Sequence, residues 1–595
     1  MRNGTVVFVL AVALVTLLAV PGLARVDRAE ATSRAVIEDA YERGAIDLDQ
    51  RILLKAYSVF APDRLPEEYR GGKIDKCGLP AITEIEEAME SVSPEVADEI
   101  RGLRDRPVLT DYIDTTHFRI HYNITGTHKI LNWPNTTYRD AIATAAEQSW
   151  SDEVDVLGFR QPPDDGSDPD GGGGSSHYDI YVQNLVGVYG YCAGSYTVPG
   201  TPQTDCTSYV VIDNDYTGFG YPDPQDPMKV TVAHEFCHAL QNAHDYTEEL
   251  WYKEATSTYM EDYVYDSIND YTQYLPYFLS YPYRSIDWED VSGLRIYGTC
   301  VWNFYMAENF GPDVVADNWY ACEGGLSTME HIDVSLGIHG SSIEEAFAGF
   351  AVWNFFTGSR DDGSHYNEGS LWPLAATTQQ HNIYPVVDGS PISTYRPDYY
   401  AANYIRFNNN FVGQDGLHIA YDGPWPGTLP NYAFLCTSDT GSNEAEYGEI
   451  TLNLMGNGEE TVQNWDTTSY VMLVVVNQTD NVNDMSYTYD AEQVDTGIED
   501  EAYAFALKPA SPNPFTGSTS ISYTVPTGGG TVDVTIYDVT GREVRTLVGQ
   551  TLPAGDGAAV WDGLDSRGEK VASGVYFARL DIDGLTASGK LMYLK

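Results

Sequence analysis

Residues 231–241 have the sequence TVAHEFCHALQ, which contains the pattern H-E-x-x-H at His234, Glu235 and His238. This run has no glycine or proline, and the spacing of its apolar residues predicts a helix. Residues four apart lie on one face of a helix, about 6 Å apart along its axis, so both imidazoles can bind one Zn²⁺. We therefore expect His234 and His238 to be metal ligands.

Glu235 directly follows the first of these histidines, which places its carboxylate beside the open coordination position. From there it can accept a proton from zinc-bound water, whose pKa the metal lowers toward about 7. The pattern predicts a zinc-dependent hydrolase of peptide bonds with Glu235 as general base. The alternative from another class is a surface adhesin or binding protein with structural zinc. A structural site is closed by four protein ligands and has no use for such a carboxylate.

Two residues are candidates for the third ligand. His244 has the spacing of the metzincin pattern H-E-x-x-H-x-x-G-x-x-H, except that Gln241 occupies the glycine position. The glycine allows a sharp end to the helix, whereas glutamine continues it. Glu254 lies in a second predicted helix, and a helix antiparallel to the first can present its carboxylate to the metal. Glu261 and Asp262, further along that helix, are expected to fix a histidine tautomer or to be solvated.

The segment from Trp251 to Glu261 resembles the W-x-x-E-A-x-[AS]-x-x-x-E segment that follows H-E-x-x-H in a group of secreted bacterial zinc metallopeptidases. This resemblance implies a zincin of the gluzincin type, with Glu254 as third ligand; a metzincin-like site with His244 stays open. Tyr297 begins a Y-G-x-x-x-W pattern found after the metal site in similar peptidases. It is a candidate transition-state donor, with packing as the alternative.

Residues 76–80, KCGLP, resemble the Cys-Gly-x-Pro core of the cysteine switch in matrix metalloprotease propeptides. A thiolate is a strong zinc ligand and would occupy the position that the catalytic water needs. Lys76 and Ala81 replace the flanking Arg and Asp of that motif. Cys77 is therefore a candidate latency switch, and the alternative is a free or disulfide-bonded cysteine with no role at the metal.

The sequence predicts a multidomain chain in which an α+β zincin-like catalytic domain precedes a β-sandwich and an immunoglobulin-like all-β domain. The N-terminal residues have the pattern of a secretory signal peptide, and the next segment is helix-prone, with no alternating strand pattern before His117. The predicted boundaries are 1–24 for the signal peptide, 25–106 for the pro-segment, 107–375 for the catalytic domain, 390–495 for the sandwich and 503–595 for the last domain. Residues 101–107, RGLRDRP, are expected to be open to proteolytic cleavage.

The last domain contains PNPF at residues 512–515, IYDVTGR at 536–542 and ASGVY at 572–576. These motifs resemble type IX secretion sorting domains and the immunoglobulin-like domain of flagellar hook-capping proteins. The resemblance implies that the protein is secreted or held at the cell surface, with the secretion machinery as a partner.

The chain carries 33 basic and 87 acidic side chains, for a net charge of −54. Such a charge repels nucleic acids and anionic membranes, so we expect protein or peptide substrates and no nucleic-acid partner. After the signal peptide, no apolar run is long enough to predict a transmembrane anchor. Residues 164–170, DDGSDPD, offer oxygen ligands for Ca²⁺ but lack full ligand spacing, and an acidic turn is the alternative.

Seven cysteines in an exported chain leave at least one without an intramolecular partner. A disulfide is predicted between Cys192 and Cys206, and a second, less strongly, between Cys300 and Cys322.

Overall fold

A computed structural model describes residues 26–290, 293–410, 413–424, 431–439, 445–453, 455–496, 504–526 and 528–595. The predicted signal peptide lies outside these residues. The chain is multidomain, with a mixed α+β region followed by all-β regions, as the sequence predicts. It divides into a large unit within residues 26–492 and a smaller unit formed by residues 493–595 with segments 411–417 and 461–466.

The predicted pro-segment is mainly helical, but it also contains a strand that the sequence pattern does not indicate. Its elements are α1 (Ser33–Glu42), α2 (Leu48–Phe60), β1 (Asp75–Cys77), α3 (Leu79–Ala88) and α4 (Pro94–Leu103). Val59 and Ile82 of this segment are buried in one cluster with Tyr181 and Val211 of the following domain. The segment therefore packs as an integral part of the large unit.

The next region supplies five more strands to a mixed sheet whose strand order is β1-β5-β6-β4-β3-β2. The strands are β2 (Asp111–Asp114), β3 (Phe118–Tyr122), β4 (Tyr178–Gln183), β5 (Val188–Thr197) and β6 (Cys206–Asp213). β1 runs parallel to β5, β5 runs antiparallel to β6, and β3, β4 and β6 are mutually parallel. The pro-segment strand is thus the edge of this sheet beside β5.

Helices dominate the rest of this region, in agreement with the predicted α+β order. They are α5 (Thr137–Ser149), α6 (Gln225–His244), α7 (Leu250–Val264), α8 (Leu275–Leu279), α9 (Arg295–Gly298), α10 (Cys300–Phe310), α11 (Asp313–Cys322), α12 (Thr328–Ile338) and α13 (Ile343–Trp353). A π-helical segment, Trp150–Val156, directly continues α5. The described helices include no membrane-spanning candidate, since none combines the necessary length and apolarity.

Two further sheets, ordered β13-β10-β15-β8 and β12-β11-β14-β9-β7, form the following region. Their strands are β7 (Gln379–His381), β8 (Val386–Gly389), β9 (Ala401–Asn408), β10 (Gly416–Asp422), β11 (Asn431–Asp439), β12 (Ala445–Glu449), β13 (Asn457–Val462), β14 (Thr468–Asn477) and β15 (Thr488–Val494). β7 and β8 precede residue 390, where the sandwich was predicted to begin. Tyr404 donates a hydrogen bond to the carbonyl of Ala351 at 2.6 Å, and this region shares one hydrophobic core with the helices.

The C-terminal strands form two sheets, ordered β16-β17-β20 and β19-β18-β21-β22. They are β16 (Ala506–Leu507), β17 (Thr519–Val525), β18 (Gly530–Asp538), β19 (Glu543–Leu552), β20 (Gly555–Trp561), β21 (Gly574–Ile582) and β22 (Leu585–Tyr593). Trp561 is fully buried at their centre against Phe515 and Tyr576, and its indole N–H donates to the carbonyl of Leu564 at 3.0 Å. This region has a hydrophobic core of its own.

The predicted disulfides are wrong, because all seven cysteines are free and buried. In the β5–β6 ladder Cys192 lies opposite Val210, whereas Cys206 lies opposite Thr197. Sequence spacing does not reveal this register, which places the two thiols at different levels of the ladder.

Candidate metal centre

The H-E-x-x-H motif lies in the middle of α6. Sixteen of the 20 residues of this helix are buried, so it crosses the core instead of lying on the surface. His234 and His238 are each only 1% exposed. Neither histidine is therefore an ordinary surface residue of an amphipathic helix.

The structure brings His234, His238, Glu254 and Cys77 together, with one potential ligand atom of each within 4.8 Å of all the others. The Nε2 atoms of the two histidines are 3.2 Å apart, and Oε2 of Glu254 lies 3.1 Å from Nε2 of His234. Sγ of Cys77 lies 3.5 Å from Nε2 of His238. In a tetrahedral zinc site with bonds of about 2.0–2.3 Å, ligand atoms are about 3.3–3.7 Å apart. The set therefore fits a zinc ion.

The pKa shifts of the cluster residues also favour binding of a cation. Burial opposes ionisation of Glu254, but the imidazoles of His238 and His234 outweigh it and lower the pKa of this carboxyl to about 2. Burial lowers the pKa of His234, but hydrogen bonds with Glu254 and Glu261 raise it to about 9. Oε1 of Glu254 is buried without a hydrogen-bond partner among the described residues. A dication can satisfy this carboxylate in place of the imidazole proton.

Hydrogen bonds fix the orientation of both imidazoles. Nδ1 of His234 donates to Oε1 of Glu261 at 2.8 Å, and Nδ1 of His238 donates to Oε1 of Gln241 at 2.8 Å. The amide nitrogen of Gln241 in turn donates to Oγ of Ser257 at 3.1 Å. Both Nε2 atoms are thereby directed toward the cluster, which is how metal-binding histidines are commonly held.

Replacing Gln241 with leucine should weaken zinc binding by about 10–100-fold, because Nδ1 of His238 loses its shorter hydrogen bond and keeps only Oγ of Ser257 at 3.1 Å. Asn242→Ala is the matched control, since the neighbouring Asn242 amide contacts Cys192 instead of a histidine. The measurement is zinc affinity by competition with a chromogenic chelator. Equal affinities for the two variants would remove Gln241 from any role in positioning the ligands.

Glu235 is fully buried beside this set and is not one of its four members. Its Oε1 has no hydrogen-bond partner among the described residues, and its Oε2 lies 3.5 Å from Sγ of Cys77. Burial raises the pKa of Glu235, with a further contribution from Glu254, against the effect of the histidines. A Cβ on Gly190 of β5 would lie 3.0 Å from Cγ of Glu235 and 2.7 Å from Thr231. The glycine thus lets β5 pass directly over this carboxylate.

His244 lies outside this cluster. Its Nδ1 is 2.7 Å from Oε1 of Glu323, and its Nε2 accepts a hydrogen bond from the backbone N–H of Arg160 at 3.2 Å. α6 continues through Gln241 to His244 without the sharp break that the metzincin geometry needs. Both ring nitrogens of His244 are therefore engaged elsewhere, whereas Glu254 lies in the cluster with His234 and His238.

The ring of Tyr297 is near the cluster, 6.3 Å from the ring of His234 between centroids. Burial, followed by the charges of Glu254 and Cys77, raises the pKa of its phenol. The hydroxyl therefore stays protonated at neutral pH, as a hydrogen-bond donor must. Its role as a transition-state donor stays a prediction.

The acidic loop proposed for Ca²⁺ surrounds an arginine of the pro-segment. The guanidinium of Arg106 lies 2.8 Å from Oδ2 of Asp165 and 2.9 Å from Oδ2 of Asp170 in this loop, and 3.0 Å from Oδ2 of Asp179 on β4. Within the predicted cleavage segment, the side chain of Arg101 is 64% exposed and that of Arg106 only 7%. Of these two arginines, Arg101 is the one open to a protease.

The sequence analysis did not identify two residues at this site: Gln241, which accepts a hydrogen bond from His238, and Lys76, whose Nζ lies 2.8 Å from Oε2 of Glu261. Gln241 was considered only as a departure from a glycine, although a residue three positions after His238 lies on the same helix face. Glu261, placed among the candidates for fixing a histidine, follows Glu254 by seven residues, two turns along the same face of α7. The seven-residue spacing is visible in the sequence, so it could have predicted that Glu261 lies on the same helix face as Glu254.

Comparisons with solved structures give only distant similarity. The surface component PorZ of the type IX secretion system of Porphyromonas gingivalis is 14% identical over 27% of this chain and 22% of PorZ, with a TM-score of 0.12. Latent dimeric PorU from the same organism is 16% identical over 37% of this chain and 19% of PorU, with a TM-score of 0.16. Tripeptidyl peptidase 2 is 7% identical over 39% of this chain and 32% of that protein, also with a TM-score of 0.16.

This chain thus covers less than a quarter of the length of either Porphyromonas protein. No curated protein matches the chain. Residues 511–583 match the protein family described as the FlgD Ig-like domain. The C-terminal region of the chain therefore contains an FlgD Ig-like domain.

Proposed function

We propose that this protein is a secreted zinc endopeptidase of the gluzincin type, made as a latent precursor. The observation that carries the proposal is the convergence of His234, His238 and Glu254 beside a buried carboxylate, Glu235, that is not needed as a ligand. Three protein ligands next to a free general base are the composition of a catalytic zinc site.

The ligands His234, His238 and Glu254 would hold the ion. The chemistry that bound zinc supplies is acidification of a water molecule and polarisation of the scissile carbonyl. Glu235 accepts the proton of the attacking water and then donates a proton to the leaving amine. Burial raises the pKa of Glu235, which makes the carboxylate a stronger base than an exposed one. Tyr297 is proposed to donate a hydrogen bond to the developing oxyanion.

Cys77 is proposed to keep the precursor inactive. Sγ of Cys77 lies 3.5 Å from both His238 Nε2 and Glu235 Oε2, so it stands where a water would be activated. β1 also lies along β5, with N–H groups of Asp75 and Gly78 donating to the carbonyls of Gly187 and Gly190 at 3.0 and 2.9 Å. The pro-segment would therefore exclude an extended peptide from the same edge.

A second candidate is a binding protein with structural zinc, and one observation favours it. With Cys77, the cluster has four protein ligands, the number found in closed structural sites. The buried Glu235 carboxylate argues against this candidate, because a structural site does not need a buried carboxyl group whose Oε1 has no partner among the described residues.

We infer export or surface attachment from the C-terminal region. Its FlgD Ig-like match and its PNPF, IYDVTGR and ASGVY motifs support a role in targeting, with the type IX machinery as the proposed partner. The core around Trp561 is separate from the proposed catalytic region, which suits a domain that is recognised independently of the catalytic chemistry.

Zinc binding tests the ligand set directly. In the chain freed of its pro-segment, Glu254→Ala should lower zinc stoichiometry from one per chain to below about 0.1 under dialysis, because only two imidazoles remain once Cys77 has left. His244→Ala should retain one zinc, since His244 contacts Glu323 and Arg160 instead. Metal content by atomic emission, measured beside casein hydrolysis after removal of the pro-segment, checks both variants. Loss of zinc in His244→Ala with retention in Glu254→Ala would reverse the assignment.

A further inference from the structure

Lys76, next to the candidate switch, occupies a buried acidic pocket beside the metal centre. Its Nζ lies 2.8 Å from Oε2 of Glu261 and 2.6 Å from Oδ2 of Asp270, and all three side chains are fully buried. Its ammonium also lies 4.7 Å from the ring centroid of Tyr189 on β5. Burial lowers the pKa of Lys76, but Asp270 and Glu261 outweigh it and raise the pKa, so the side chain is charged.

Lys76 belongs to the predicted pro-segment. Tyr189, Glu261 and Asp270, which surround its ammonium, belong to the predicted catalytic domain. Among the hydrogen bonds of the described residues, Lys76 is the sole partner of Oε2 of Glu261 and Oδ2 of Asp270. Oε1 of Glu261 is engaged with His234 and Oδ1 of Asp270 with Gln273. Departure of the pro-segment therefore leaves two carboxylate oxygens without a counter-charge, a costly arrangement unless another cation enters.

Departure of β1 also leaves the edge of β5 unpaired. The carbonyls of Gly187 and Gly190 lose the N–H donors of Asp75 and Gly78. An unpaired edge strand binds extended peptides by strand addition, with alternate side chains entering pockets. A peptide in the place of β1 would put one side chain at the position of Cys77 and the adjacent one at the position of Lys76.

We propose that Tyr189, Glu261 and Asp270 form a substrate subsite that selects a lysine or arginine side chain beside the scissile bond. This inference rests on the proposed peptidase function and names its substrate class. In the precursor, the pro-segment occupies the place of a substrate. Its strand β1 pairs with β5, Lys76 fills the subsite, and the Cys77 thiol lies where the scissile peptide bond of a substrate would react. The ammonium of a substrate lysine, or the guanidinium of a substrate arginine, would lie between the two carboxylates and over the ring of Tyr189. It would be stabilised there in the same way as the ammonium of Lys76.

The first test measures binding without turnover. The zinc-loaded Glu235→Gln chain, freed of its pro-segment by limited proteolysis within residues 101–106, is titrated with a labelled peptide of residues 72–80. The same peptide with Lys76→Met should bind at least about tenfold more weakly. Both peptides contain Cys77, so the difference reports the lysine alone. Equal affinities would overturn the subsite.

The second test measures selectivity on a set of neutral peptides in which lysine is moved through each position around the cleaved bond. One position should raise kcat/KM by at least about tenfold, and Asp270→Asn should remove that preference. Asp266→Asn, which removes the same charge from an exposed position nearby, should keep it. Cleavage without any lysine preference would overturn the subsite and leave the peptidase intact. Lysine-dependent binding with no cleavage of any peptide would overturn the peptidase and leave the acidic pocket as a binding site for a basic side chain.

Discussion

Glu235→Gln should lower peptide hydrolysis by about 10²–10⁴-fold and leave zinc bound. The amide has nearly the shape of the carboxylate, so the ligands His234, His238 and Glu254 keep their positions. Because the amide of glutamine cannot accept a proton from water, the substitution removes general-base catalysis and leaves zinc binding unchanged. The measurement is kcat on a fluorogenic peptide, with zinc stoichiometry determined on the same preparation.

A matched control for this substitution is Glu308→Gln on α10. Glu308 accepts a hydrogen bond from the backbone N–H of Asn367 at 3.0 Å and has no contact with the cluster. This variant should keep wild-type kcat. Zinc lost in Glu235→Gln would mean that Glu235 is a ligand. A wild type that binds zinc and cleaves nothing would favour the binding-protein alternative.

The H-E-x-x-H motif predicts its own helix and the pairing of the two histidines well, because both follow from local periodicity. Short runs rich in β-branched and aromatic residues at 178–183 and 208–213 also predict strands, and β4 and β6 form there. β5 was missed. Its sequence, VYGYCAGSYT, is interrupted by two glycines, which lower the strand propensity that the pattern registers. One of them, Gly190, is there because a side chain would collide with Thr231 and Glu235.

The other differences between the predicted and the observed structure arise from contacts between residues that are far apart in the sequence. β1 has only three residues, too few to show alternation, and it forms because β5 offers a free edge. The environment of Lys76 combines residues from positions 189, 261 and 270, and no sequence spacing relates these positions to one another. Likewise, Cys192 and Cys206 were predicted to form a disulfide because they are close in sequence. The register of β5 on β6 places them at different levels of the ladder.

The cysteine at position 77 makes the latency proposal testable in the uncleaved chain. Without a metal, burial and the charges of Glu235 and Glu254 raise the pKa of Cys77 well above its usual value. The thiol therefore needs a cation to ionise, and a zinc ion held by the histidines and Glu254 provides one. The thiolate would then contribute strongly to holding the pro-segment in the cleft.

Cys77→Ser should accordingly raise peptide hydrolysis by the uncleaved, zinc-loaded chain by more than about tenfold over wild type, equivalent to about 1.4 kcal/mol of pro-segment binding. Activity should stay below that of the cleaved enzyme, because Lys76 and the β1–β5 hydrogen bonds still hold the segment. Cys192→Ser is the matched control, since Cys192 is equally buried on β5 but contacts Tyr178. Hydrolysis is measured with electrophoresis to verify that the chain is intact. If Cys77→Ser stays as inactive as wild type, strand pairing alone maintains latency, whereas full activity in the uncleaved wild type would exclude a latent precursor.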